Sequence, residues 1–203
     1  MIPGARLAAA IEVLADIEAR RRPAAQALKD WGLSHRFAGS GDRAAIAGLV
    51  YDALRRKSSA AWIMGTDTPR GVLLGMLARE RGLDAEAISK LAGGVRFAPE
   101  PLSDEEHARL RANSLEGAPP HVRGDYPEWL DEKLAATFGD ERAQEAEALA
   151  SRAPLDLRAN TLKATPEEGA EELAEYSPQR ARWSPWGLRI EIGADSKAPA
   201  IHA

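Results

Sequence analysis

The spacing of apolar residues is the feature that most limits the fold of this chain. Leu7, Ile11, Leu14 and Ile17 fall on one face of a helix that we predict over residues 3–20. The aromatic fraction of only 5% and the recurrence of Ala and Leu also favour helices over a strand-rich sandwich or barrel. At 203 residues, 44% of them hydrophobic, the chain is long and apolar enough to bury a core. We therefore predict a mainly α-helical fold.

Capping residues predict where further helices begin and end. A second helix restarts at Pro23 and is expected to stop at Gly32; Ser40 or Asp42 is expected to cap a third, which ends near Lys57. The apolar stripe of this third helix comprises Ile46, Ala47, Val50, Tyr51 and Leu54. Thr68 and Pro69 are expected to open a further helix that Gly82 closes, and Asp84 is expected to cap a helix that runs to Gly93. Ser103 and Glu106 form a predicted capping box for a helix that ends near Asn113.

The hydrophobic period changes near residue 154. Residues 117–127 have the composition of a linker, and helices are predicted over 127–139 and 141–151. A strand over 155–159 follows, and then a helix opened by a Thr165–Glu168 capping box, a turn at 184–187, and alternation at Leu188, Ile190 and Ile192. The order β, α, β, β is about half of a split βαβ sheet of ferredoxin-like type, and residues 197–203 are not expected to supply the rest.

These patterns predict three parts. Residues 1–117 form an all-α helical bundle, residues 118–153 form a linker and a helical pair, and residues 154–203 form a partial α/β subdomain. The predicted fold class is accordingly mainly α, with a partial βαββ subdomain at the end.

Charge is distributed unevenly along the chain. The net charge is −4, yet residues 1–60 carry ten Lys or Arg against six Asp or Glu. A basic front attracts a phosphate backbone, although a solvated helix face accounts for a modest excess of cations equally well.

The cations of this basic front are the candidate RNA contacts. Guanidinium groups form bidentate bonds with phosphate, and Phe37 beside Arg36 offers a surface on which an unpaired base can stack. The alternative is that Arg20–Arg22 merely end a helix and that Phe37 belongs to the core. The candidate RNA-binding residues are Arg6, Arg36, Arg43, Arg55, Arg56 and Lys57.

The remaining patterns favour structural roles. Residues 39–44 match G-x-G-x-x-A, but no buried apolar strand precedes them, so we expect a capping loop rather than a cofactor site. Trp129, Trp183 and Trp186 could offer surfaces on which bases stack, but we expect them to be packing residues. There is no cysteine, and His35, His107, His121 and His202 are scattered without metal-ligand spacing. We expect no metal site and no catalytic residue.

No targeting or membrane segment is expected. Glu12, Asp16 and Glu18 interrupt the first apolar region, so it lacks the continuous core of a secretory signal. No stretch approaches the roughly 20 apolar residues that span a bilayer. We therefore expect a cytoplasmic protein without a membrane partner.

Two segments resemble a known family. Residues 41–56, with an Asp-Arg start, Leu49-Val50-Tyr51 and a closing Arg, resemble the central helix of NusB-like domains. Residues 126–130, Phe138-Gly139 and residues 154–163 resemble the entry to the RsmB/Sun (Fmu) family of ribosomal RNA cytosine-5 methyltransferases. The second segment is the more specific, and standalone NusB proteins lack it.

The resemblance implies a function that this chain performs only in part. It implies a NusB-like domain that helps to bind ribosomal RNA, followed by a small α/β subdomain that leads into an S-adenosylmethionine-binding catalytic domain. The family uses a cysteine nucleophile and a second cysteine, whereas this chain has none. We therefore expect no cofactor and no methyltransferase activity in these 203 residues alone, with S-adenosylmethionine used by the full-length parent.

Two other functions remain open at this point. One is a protein-interaction module, in which the helical bundle binds a protein partner. The other is a freestanding transcription antitermination factor, which residues 126–163 argue against.

Overall fold

The computed structural model describes residues 1–94 and 96–192, and the chain divides into two compact units, one of residues 1–151 and one from residue 152 onward. The helices of the first unit are α1 (Pro3–Arg20), α2 (Ala24–Ser34), α3 (Ser40–Arg55), α4 (Lys57–Met64), α5 (Pro69–Arg79), α6 (Ala85–Leu91), α7 (Asp104–Ala112), α8 (Pro120–Arg123), α9 (Asp131–Phe138) and α10 (Arg142–Ala150). The second unit contains β1 (Leu155–Arg158), α11 (Pro166–Glu172), β2 (Gln179–Arg180) and β3 (Gly187–Ile190). The predicted fold class, a helical bundle followed by a partial α/β subdomain, is confirmed.

Helix α5 lies at the centre of the first unit. Its residues from Gly71 to Ala78 are all buried, so it is apolar on every side rather than on one stripe. Gly75 lets α4 approach closely, because a Cβ there would lie 2.4 Å from the carbonyl oxygen of Ala60. Residues from α1, α3 and α6 complete the core around α5; the largest buried side chains among them are Leu7, Val13, Ile46, Val50 and Ile88.

The predicted helix starts that depend on local chemistry are confirmed. The Thr68 hydroxyl accepts the Gly71 N–H at 3.2 Å, and the Asp84 carboxylate accepts the Ala87 N–H at 2.7 Å. Both capping boxes form, Ser103 with Glu106 and Thr165 with Glu168. Each such cap stabilises a helix by about 1 kcal/mol.

Two predicted helix ends are wrong. Helix α2 continues through Gly32 to Ser34, because Gly32 is buried and is covered by the Arg43 side chain. Helix α3 starts after Gly39 without a side-chain cap, because the Asp42 carboxylate bonds the Met1 amino group instead. Helix α4 was not predicted.

Residues 117–127, whose composition indicated a linker, are folded against α4. Ala118, Val122 and Tyr126 are buried, and the Asp125 carboxylate bonds Ser59. The compact units divide after Ser151 instead, close to the predicted start of the α/β subdomain. A functional boundary at residue 117 stays a prediction.

The described part of the second unit contains a three-stranded sheet in the order β1-β3-β2, with β3 antiparallel to both neighbours. Its β, α, β, β order is the one predicted. Leu188 and Ile190 of β3 are buried, and Leu188 lies next to Gly169 of α11. The prediction for residues 197–203, including His202, lies outside the described residues.

Candidate nucleic-acid interface

The six candidate RNA-binding residues lie in two groups, near the two ends of α3. Arg6, Arg36 and Arg43 surround its start, and Arg55, Arg56 and Lys57 lie at its end. Residues 43 and 55 of one helix are roughly 18 Å apart along its axis, at 1.5 Å per residue. The two groups are therefore separate surfaces.

The group at the end of α3 is engaged within the protein. Arg55 forms an ion pair with the buried Asp52, and Lys57 lies 3.5 Å from Glu18. Arg56 is itself buried, with its Nε 2.6 Å from Glu80 and its Nη1 3.8 Å from Asp125. The assignment of Arg56 as an RNA contact is therefore corrected, because a buried guanidinium between two carboxylates cannot reach a phosphate.

The group at the start of α3 includes one ion pair, between Arg6 and Asp42. The Asp42 Oδ1 atom accepts bonds from the Met1 amino group and from Arg6 Nε, both at 2.9 Å. The amino group, followed by Arg6, holds the pKa of the Asp42 carboxyl below its usual range. Arg43 is exposed and its Nε donates to the Ala38 carbonyl at 2.9 Å. Arg36 is exposed and has no hydrogen-bond or ion-pair partner among residues 1–94 and 96–192.

Beside this group lies an open apolar cavity of about 750 Å³, which we call the aromatic groove. The groove is formed by the start of α1, the end of α2, the loop after α2 and the loop after α6. Its lining includes Met1, Ile2, Ala5, Ala8, Ala9, Glu12, Trp31, His35, Phe37, Arg96 and Phe97.

One wall of the aromatic groove is a ladder of rings. Trp31 is buried, and its indole N–H donates to Glu12 at 3.0 Å. His35 stacks on Trp31 with ring centroids 4.3 Å apart, and Phe37 meets His35 edge-on at 5.7 Å. Phe37 is 73% exposed, so the hypothesis that it belongs to the core is wrong. The ladder thus presents its outermost ring to solvent.

Arg96 and Phe97 also line the groove. The Arg96 guanidinium lies 4.7 Å from the centroid of the Phe97 ring, which is 70% exposed. Phe97 has φ 73°, a left-handed conformation that a bulky residue rarely adopts. Gly4 brings α1 against this loop, because a Cβ on Gly4 would lie 2.9 Å from the Ala98 Cβ. Exposure and backbone strain coincide at one ring, as they do at many functional sites.

Arg96 and Phe97 were missed by the sequence reasoning. A signal was present, since Arg36-Phe37-Ala38 and Arg96-Phe97-Ala98 are the same tripeptide. Nothing in the sequence showed that the fold places both tripeptides at one groove. Chemically, two exposed rings flanked by guanidinium groups suit an unpaired base, which stacks, and its phosphate, which pairs with the cation.

The described residues do not fit S-adenosylmethionine. The G-x-G-x-x-A segment at 39–44 opens α3 after a loop rather than after a strand, and the Asp42 carboxylate occupies its first turn. The sheet of the second unit is antiparallel and supplies no parallel strand followed by a glycine turn in the described range. We therefore derive no chemical step through this cofactor.

The described residues contain neither a metal-ligand cluster nor a helix that could span a membrane. Residues 1–94 and 96–192 hold no group of three or more His, Asp or Glu side chains arranged around a metal position. In the same ranges, no helix combines the length and the hydropathy that crossing a membrane requires.

The later part of the chain is similar to a known protein family. Residues 126–196 match the family model of the RsmF/B-like methyltransferase, ferredoxin-like domain. This match confirms the resemblance inferred from residues 126–163, and it includes the whole described part of the second unit. No curated protein is significantly similar to the chain.

One solved structure, described as "Crystal Structure of PH0851", is similar at 17% sequence identity with a TM-score of 0.49. The similarity covers 95% of this chain and 49% of that one, so the chain spans about half the length of that protein.

Proposed function

Starting from the RsmF/B-like domain at residues 126–196, we propose that this chain is the RNA-binding and substrate-positioning region of a ribosomal RNA cytosine-5 methyltransferase. In this proposal the first unit holds the RNA in the cytoplasm, and a catalytic domain that binds S-adenosylmethionine performs the methyl transfer. The absence of cysteine means that none of these 203 residues supplies the thiolate nucleophile.

The observation that carries the proposal is the aromatic groove. Phe37 and Phe97 are both largely exposed and line one apolar cavity, and exposed apolar patches of this kind mark binding sites more often than single exposed side chains do. Arg36 adds a cation without a partner in the described chain, next to Phe37. Arg96 adds a second cation at Phe97. Stacking holds a base, and the two guanidinium groups bind the phosphates beside it.

The other cations contribute unequally. Arg43 is exposed at the start of α3 and extends the positive surface beyond the groove. Arg6 is held by Asp42, and Arg55 by Asp52, so both offer less charge to RNA. Lys57 is half exposed and its partner Glu18 is 3.5 Å away, which is a weak constraint.

Binding to two ribosomal RNA fragments tests the proposal. One fragment is a hairpin with an unpaired loop, and the other is a perfect duplex of the same length. We expect the chain to prefer the hairpin, and the Phe37→Ala/Phe97→Ala variant to lose roughly ten- to a hundredfold in hairpin affinity, since stacking contributes about 1–3 kcal/mol per base. Phe138→Ala is the matched control, because Phe138 is exposed outside the groove. Equal hairpin affinity of the double variant and the wild type would overturn the proposal.

A further inference from the structure

In the second unit, the sheet topology brings two loops to one end. Because β3 is antiparallel to both β1 and β2, the ends of β1 and β2 and the start of β3 lie together. Arg158 pairs with Gly187, the Ala159 N–H donates to the Trp186 carbonyl at 2.9 Å, and the Ala181 N–H donates to the Gly187 carbonyl at 2.9 Å. We call residues 158–164 and 181–187 the loop end of the sheet.

Large apolar side chains are exposed at the loop end. Trp183 is 84% exposed, Leu162 is 95% exposed and Trp186 is 43% exposed. The hypothesis that Trp183 packs against the sheet is therefore wrong, because the face of the sheet is filled instead by Leu188 and Ile190. The Arg182 guanidinium lies over the Trp183 ring, 4.4 Å from its centroid.

The loop end, which carries the exposed tryptophans, is positively charged. Arg158, Lys163 and Arg182 are exposed, and none has a carboxylate partner within residues 152–192. Two of the four glutamates on α11 are already bonded: Glu167 to Arg180 at 3.1 Å, and Glu168 to the Thr165 N–H at 2.7 Å. Arg189, on the strand itself, is likewise paired with Asp156. Three exposed cations thus lie at the same end of the sheet as two exposed indoles, in a unit whose other charged residues are mostly acidic.

The groups at the loop end have the chemistry of a polynucleotide-binding surface. Strand β3 starts at the loop end and runs away from it, so the described residues after Ile190 leave from the opposite end of the sheet. An indole face offers stacking to any base, and free cations offer pairing to phosphate, which is the chemistry of single-stranded polynucleotide binding. The same charges are unsuited to an apolar or basic protein segment.

We propose that the loop end of the sheet is a second RNA-contact surface, which takes unpaired nucleotides. Trp183 and Trp186 stack on bases, and Arg158, Lys163 and Arg182 bind the flanking phosphates. The choice of RNA as the polynucleotide rests on the proposed function, whereas the surface itself is independent of the aromatic groove.

Ultraviolet crosslinking of the whole chain to the unpaired-loop hairpin separates the two surfaces. Trypsin releases Trp183–Arg189 as one peptide and Phe37–Arg43 as another. We expect RNA adducts on the first of these peptides. Adducts on Phe37–Arg43 alone would overturn this inference and leave the proposed function standing. Adducts on Trp183–Arg189 alone would support this surface and count against the aromatic groove.

Variants test the two kinds of contact. We expect Trp183→Ala and Arg182→Gln each to weaken hairpin binding about five- to fiftyfold, as expected for loss of one stacked base or its cation. The matched controls are Trp129→Ala, at an indole 71% exposed in the first unit, and Arg189→Gln, at a paired cation of the same sheet. Equal effects of test and control variants would overturn the inference. A concentration-dependent dimer that Trp183→Ala abolishes, without RNA adducts, would assign the surface to self-association instead.

Discussion

The Asp125 carboxylate accepts two hydrogen bonds from Ser59, one from its backbone N–H at 2.8 Å and one from its hydroxyl at 2.7 Å. Arg56 Nη1 lies 3.8 Å from the same carboxylate, and burial raises the pKa of Asp125. Asp125 has φ 55°, so the chain turns sharply to place it there. This contact fixes residues 117–127 to α4 and holds Arg56 in the interior.

Asp125→Ala should therefore destabilise the first unit strongly. It leaves the buried Ser59 N–H without an acceptor and removes one of the two carboxylates beside Arg56. The expected loss in free energy of unfolding is about 2–4 kcal/mol. Urea unfolding followed by circular dichroism measures it. Asp140→Ala, at a fully exposed carboxylate, is the control and should change stability by less than about 0.5 kcal/mol; similar losses for both variants would refute this role of Asp125.

Gly4→Ala should distort the aromatic groove. The added Cβ would lie 2.5 Å from the Leu91 carbonyl oxygen and 2.9 Å from the Ala98 Cβ, so α1 or the loop carrying Phe97 must shift. We expect a loss of about 1–3 kcal/mol in unfolding free energy, as for overpacked cores. Gly41→Ala is the matched helical control, because nothing lies within 4 Å of its Cβ position. It should be neutral or stabilise by about 0.4–1 kcal/mol, and a neutral Gly4→Ala would mean that the close approach is unimportant.

Ionisation of Tyr126 should destabilise the first unit at alkaline pH. Burial, together with its 2.5 Å hydrogen bond to Asp131, raises the pKa of Tyr126 to about 12. In the unfolded chain the phenol ionises near pH 10. The contribution of Tyr126 to the free energy of unfolding is therefore fully present below pH 10, and it is lost as pH rises from about 10 to about 12. Urea midpoints across this range should fall less steeply for Tyr126→Phe, and identical slopes would contradict the assignment.

Protonation of Glu106 should destabilise the first unit in acid. The hydrogen bond from Arg70 lowers the pKa of Glu106, and the Ser103 N–H adds to this effect. A carboxyl whose pKa is lowered in the folded state stabilises the fold at pH values above its unfolded pKa of about 4.3. This stabilisation is lost as pH falls below that value. Glu106→Gln should flatten the decline of stability below that pH. Glu105→Gln, at an exposed neighbour whose ion pair spans 3.9 Å, should not.

The sequence was informative where structure depends on near neighbours. The boxes Ser103–Glu106 and Thr165–Glu168 join residues three positions apart, and the alternation of Leu188 and Ile190 marks one face of a strand. These features follow from local chemistry, so spacing along the chain was enough to predict them.

Features that depend on distant partners were not predictable in this way. Arg56 looked like a free cation at a helix end, and only its partners 24 and 69 positions away, Glu80 and Asp125, show that it is buried. Phe37 and Phe97 line one groove because α1 packs against the loop after α6, and the spacing of residues along the sequence does not predict this packing. Trp183 precedes a turn, where a ring can pack on the sheet, and only the folded structure shows that this residue is 84% exposed.

The central claim is that the first unit binds RNA through the aromatic groove, and the salt dependence of hairpin affinity tests it most directly. For single strands, the slope of log affinity against log salt changes by about 0.7 for each phosphate contact. We predict that Arg36→Gln/Arg96→Gln makes the slope shallower by roughly 1.4, whereas Arg111→Gln, at an exposed cation paired with Glu86, leaves it unchanged. A double variant with the wild-type slope and affinity would contradict the account.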